Sequence, residues 1–137
     1  MTRLRLRLRL GVGVLATMLA AGALAQSAPA EAAYRRGLAY RNGGDGMARD
    51  AAQAVRWLGT AATGGVPAAM FILSHMLAEG EGTPRDPAAA RRWLETAAQA
   101  EYPEALQELA MEERDPARAA ELLREAAHAM QHRVHER

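Results

Sequence analysis

The 137-residue chain contains no cysteine. No disulfide can staple it, no thiolate can serve as a nucleophile, and lipid attachment to a cysteine is excluded. Lysine is absent as well, and all 17 basic residues are arginine, which we read as a composition bias of the genome and not as a feature of the fold. Serine occurs only as Ser27 and Ser74, and neither sits in a Gly-x-Ser-x-Gly turn. Gly80-Glu81-Gly82 is no phosphate loop, because a helical pattern and not a strand precedes it. Carboxylates lie mostly among arginines at helical spacing, as Glu121 does with Arg124, and such pairs form ordinary solvated faces. With no nucleophile and no isolated acid–base pair, the expectation is a protein that is not an enzyme and that needs no cofactor. Its stability has to come from apolar packing between helices.

The N-terminus carries the one long apolar run. Residues 1–9 hold four arginines and no acid, residues 10–25 are apolar or small, and the run ends in Ala23-Leu24-Ala25. A basic start, an apolar middle and an A-x-A end read as a secretory signal peptide at 1–25, cut after Ala25. The alternative is a retained anchor, but 16 residues fall short of the about 20 that a bilayer span needs. Export to the periplasm of a bacterial cell is expected, with secretion as the alternative, and the membrane is met only through the uncleaved signal. Cleavage removes four of the 17 arginines and leaves 13 against 16 acids, so the net charge moves from +1 to −3. The basic balance belongs to the precursor and points to no nucleic-acid partner.

What the remainder has is a repeat. DAAQAVRWLGTAA at 50–62 returns as DPAAARRWLETAA at 86–98, and again in reduced form as DPARAAELLREAA at 115–127. Asp50, Ala54, Trp57, Ala61 and Ala62 recur after 36 residues as Asp86, Ala90, Trp93, Ala97 and Ala98. The third unit follows after 29 residues and lacks the Gly-x-Gly loop formed in the second by Gly80 and Gly82. Each unit reads as two helices. Aspartates at 50, 86 and 115 suit the N-cap, and Pro87 and Pro116 suit the first helical position. Pro67 and Pro103 open the first helices of units two and three. The spacing predicts helices at 31–42, 50–63, 67–79, 87–100, 103–112 and 116–132. A linker at 26–30 and a polar tail at 133–137 flank a single repeat domain at 31–132. Each Trp is expected to fill the space between a helix pair and its neighbour; the alternative is a ligand-stacking pair.

The continuous pattern of Gly, Asp, Trp and Ala-Ala at fixed offsets from Ala69 to Ala98 resembles the Sel1-like repeat, a relative of the tetratricopeptide repeat. The first unit resembles it from Ala32 to Ala62, and the third only in its second helix. Arg36 departs from the family's leucine, Ser74 from its glycine and Leu77 from its frequent tyrosine; Arg36 there suggests a loosely packed first helix. The resemblance implies an all-α, right-handed solenoid of stacked helix-turn-helix units that mediates protein–protein interaction, as an adaptor or regulator in the cell envelope. First helices line the concave side of such solenoids. Away from the core they offer Tyr34 and Leu38, then Phe71 and His75, then Gln107 and Met111, a stripe suited to a protein or peptide partner. The alternative is that Phe71 packs between first helices. A short solenoid can also pair with a copy of itself as a homo-oligomer.

The last helix raises a second function. His128, His132 and His135 fall at i, i+4 and i+7, on one face. Imidazoles so spaced can share a divalent metal, which makes a periplasmic metal-binding protein the alternative to the adaptor. No fourth ligand or orienting group is evident beyond Glu125 or Glu136, and a frayed polar tail accounts for the same residues.

Overall fold

A computed structural model describes the backbone at residues 12–44 and 46–135, and the side chains at 27–44 and 46–134. Six helices follow one another: α1 (Val12–Asn42), α2 (Ala51–Thr63), α3 (Pro67–Glu79), α4 (Pro87–Gln99), α5 (Pro103–Glu112) and α6 (Pro116–His135). Each packs mainly on the helices before and after it in sequence. The helix pairs α1–α2, α3–α4 and α5–α6 therefore stack as successive layers of an all-α solenoid. Among the described residues no helix is long and apolar enough to cross a membrane.

The caps explain where the second helices begin. The Asp50 carboxylate accepts from the Gln53 N–H at 3.0 Å, and Asp86 accepts from Ala89 at 2.9 Å. Each satisfies one of the free N–H groups that a helix start leaves over. The same two aspartates also close the turn by their own backbone. Asp50 donates its N–H to the Tyr40 carbonyl, and Asp86 donates to Leu77, at 2.8 and 2.9 Å. The arginine before each one adds a side-chain clasp: Arg49 Nε donates to the Arg41 carbonyl and Arg85 Nε to the Ala78 carbonyl. The turn is thus fixed in both layers by the same three hydrogen bonds.

The core is mostly alanine and leucine. Ala54, Leu58, Ala61 and Ala62 of α2 are buried, as are Ala90, Leu94, Ala97 and Ala98 of α4. Small residues set the helix spacing. A Cβ on Gly37 would lie 2.7 Å from Leu58 Cγ, so α1 and α2 meet at that glycine. In the second layer the same place holds Ser74, buried, whose hydroxyl donates to the Phe71 carbonyl at 2.7 Å. Gly82 has φ +72°, and a Cβ there would lie 2.3 Å from the Ala51 carbonyl carbon and oxygen. The Gly-x-Gly loop is therefore a seat for the start of α2, and it joins the second layer to the first.

Four expectations need correction. Residues 26–30 are no linker: they are helical within α1, and Ala30 is buried against Gly64. The same helix continues back through residues 12–25 of the expected signal peptide, which leaves the expectation of cleavage after Ala25 as it stands; residues 1–11 lie outside the described residues. The first helix is not loosely packed, since Ala30, Ala33 and Gly37 are buried; Arg36 instead stacks over the Trp57 ring, 4.5 Å from its centroid. Trp57 and Trp93 are only half-buried at the edge of the core, so neither ring fills an interior space. Finally, the polar tail begins within α6. Arg133 lies on the face that carries Leu122, Ala126 and Ala129, and is held by α5.

Candidate partner-binding surface

The first helices of the three layers, together with the end of α6, build a band of half-buried aromatic and charged groups. Phe71 and His75 are one turn apart on α3, and their rings meet edge to face with centroids 4.7 Å apart. Tyr102, at the N-cap of α5, tilts against Phe71 at 5.4 Å. Tyr34 on α1 completes the band, close enough to Tyr102 to raise its hydroxyl. The aromatic contact between layers thus runs from α3 to α5, and α1 adds a third ring.

The charges around the band are arranged in pairs. Arg133 of α6 places its guanidinium 4.9 Å from the centre of the Tyr102 ring, a cation–π contact. The same guanidinium forks onto Glu104 at 2.8 and 2.9 Å. That fork holds the Glu104 carboxyl below the ordinary carboxylate range; partial burial opposes it, and the residue's own backbone N–H adds to it. Burial raises the Tyr34 hydroxyl, with Glu31 adding to the effect. Burial also raises Tyr102, as do Glu104 and Tyr34, while Arg133 pulls it back. Both tyrosines are neutral hydrogen-bonding groups at physiological pH. At the other end, His75 Nε2 lies 2.9 Å from Glu108 Oε2, an ion-pair distance when the imidazole is protonated. The oxygen sits off the N–H axis, so this nitrogen has no aligned hydrogen-bond partner among the described residues. Behind it, Arg91 bridges Glu95 at 2.7 Å and Glu112 more closely.

Two of the six stripe residues named from sequence meet here, Phe71 and His75, and a third, Tyr34, lies near Tyr102. Leu38 and Gln107 are half-buried on α1 and α5, outside the ring contacts. Met111 stands clear at 85% exposed. Four residues of the band were not foreseen: Tyr102, Glu104, Glu108 and Arg133. Arg133 was legible, because Leu122, Ala126, Ala129 and Arg133 continue one helical stripe at steps of four, three and four. Tyr102 had a weaker signal, its place just before Pro103 at the helix start.

The histidines of α6 lie away from this band. His128 and His132 are exposed and their rings meet, with centroids 4.4 Å apart. The side chain of His135 lies outside the described residues. Among the described residues no cluster of three or more potential metal ligands forms.

Comparison with known proteins agrees with this architecture. The Sel1 repeat matches residues 30–66, 67–102 and 104–129, the last of them short. No curated protein matches the chain. Among solved structures, a Sel1 repeat protein from Oxalobacter formigenes superposes with a TM-score of 0.68 at 25% identity. The match covers 73% of this chain and 43% of that one, so the chain spans less than half the length of that protein. With the family pattern over most of its length and helix pairs stacked as that pattern requires, the chain belongs to the Sel1 repeat family.

Proposed function

We propose that this chain is an exported, non-enzymatic adaptor of the cell envelope, which holds a segment of another protein along the first-helix face. Sel1 repeats generally mediate protein–protein interaction. The observation that carries the reading is the half-buried aromatic band on this face: Phe71 meets His75 on α3 and Tyr102 across the layers, and Tyr34 lies near Tyr102. Rigid aromatic rings lose little conformational entropy on binding and supply much contact area, which is why such residues anchor interfaces. Glu108 and the Arg133–Glu104 fork place charge at the edges, where it sets register and excludes wrong partners. The basic, apolar and A-x-A succession of residues 1–25 supports export.

The test is crosslinking of the tagged chain in intact cells, followed by mass spectrometry. One dominant envelope protein is expected, together with an N-terminus that begins at Gln26. Met111→Glu changes an exposed residue at the end of α5 and leaves folding intact; Phe71→Ala, checked for helicity by circular dichroism, removes the central ring. Capture that survives both substitutions places the partner elsewhere. Recovery of the chain crosslinked only to itself replaces the adaptor with a homo-oligomer.

A further inference from the structure

We propose that His128 and His132 form an exposed two-imidazole chelate for a single divalent cation of the zinc and copper class, with water in the remaining positions. The two Nε2 atoms lie 3.1 Å apart. Imidazole nitrogen binds zinc at about 2.0–2.1 Å. Two such bonds to one ion, spanning 3.1 Å, open an angle of about 95–100° at the metal, from the same bond length. That angle lies between the cis angle of an octahedron and the tetrahedral angle, so an ion fits between the two nitrogens with small ring movements.

The placement on the helix supports the site. One turn of α6 separates the two residues, and both stand on an exposed face, so their separation is set by the helix and not by a loop. A helix that already holds two ligands at the right span spends little ordering entropy on the second bond. Unmetallated, the pair is accounted for by one ring donating its Nε2–H to the other, and a cation replaces that shared proton. Glu125, on the same side one turn back, lines a shallow surface hollow with Glu101, Glu121, Arg124 and His128, so three carboxylates face one guanidinium there. Its carboxylate lowers the local potential for an approaching cation without being a ligand. The donor set selects the metal. Two neutral imidazoles favour zinc, nickel and copper, and offer magnesium or calcium none of the oxygens they require.

The test is titration of the untagged full chain with zinc alone, read by NMR of the imidazole signals. His128 and His132 are expected to shift together and to saturate at one zinc per chain, while His75 stays unchanged. His132→Ala should lower the zinc affinity of His128 by at least about tenfold, the loss expected when a chelate becomes a single ligand. His75→Ala should change nothing. His132 lies on the exposed face of α6, so folding does not confound the result. Independent titration of the two rings, saturation at His75 first, or an unchanged His128 response in His132→Ala would each overturn the site.

Discussion

Leu58 in the first layer is 0% exposed and Leu94 in the second is 4% exposed, yet Leu123, in the same register of the third, is 51% exposed. The next equivalent position behaves alike: Ala62 and Ala98 are buried, and Ala127 is exposed. The opposite face of the same helices does the reverse. Trp57 and Trp93 are half-buried, and their counterpart Leu122 is buried. All three helices carry nearly the same sentence, so composition does not decide burial. What decides it is the following helix. α2 is covered by α3 and α4 by α5, while no further helix follows α6 among the described residues. The face left over holds Leu123, Met130 and Val134, the last 71% exposed. A repeat therefore contributes two half-interfaces, and its stability depends on which of them is matched.

The sharpest way to break the comparison is to truncate the same leucine in different layers. Leu58→Ala should cost about 3–4 kcal/mol, because it empties a site enclosed by α1, α2 and α3. Leu123→Ala should cost about 0.5 kcal/mol or less, as an exposed substitution does. Urea denaturation of the two variants measures the difference directly. Equal losses would mean that α6 is covered in solution, by a second copy or by chain beyond the described residues.

Next in size is the Gly-x-Gly loop, which the third layer lacks. Gly82→Ala places a methyl group against the Ala51 backbone and holds it at a positive φ, so about 2–3 kcal/mol should be lost. The loss should appear in thermal melts, and as faster hydrogen exchange at the start of α2, on the far side of the contact. Where the loop is missing, Glu113 does the closing. Its Oε1 accepts from the Arg114 and Asp115 N–H groups at 2.7 and 3.1 Å. Asp115 then reaches only Ala117, two residues on, whereas Asp50 and Asp86 reach three residues on. Asp86→Ala should accordingly cost about 1 kcal/mol, and Asp115→Ala less, by the same denaturation measurement.

Most of this was legible in the sequence, and the failures have a common cause. The aspartates, prolines and paired alanines act within one helix or one turn, and they gave the six helices to within two residues, apart from the outer ends of α1 and α6. The band on the first-helix face depends on contacts between layers. Phe71 touches Tyr102 across 31 residues, and Glu104 meets Arg133 across 29; no local pattern reports such distances. The Trp reading failed for a related reason. Helical spacing puts Trp57 on the apolar stripe, but it does not say that the ring faces Arg36 at the edge of the core.

The smallest effect concerns how the third layer is tied down without a neighbour. α6 is seven residues longer than α4, and the extra length carries Arg133 to Glu104. In the second layer the place of Glu104 is taken by Ala68, and no ion pair forms there. Arg133 lowers the carboxyl of Glu104 in the folded state. The fork therefore contributes its full stability above the unfolded carboxyl value of about 4.3, and loses it as pH falls through the lower folded value. Both side chains are about two-fifths exposed (39% and 40%), and solvent screening limits the contribution to about 0.5 kcal/mol. Glu104→Gln should lower the urea midpoint slightly at pH 7 and approach the parent as pH falls through the lowered folded value, where both carry an uncharged side chain. A difference that persists in acid would show that Glu104 acts by packing against Tyr102 and α6, so that the third layer is held by shape and not by charge.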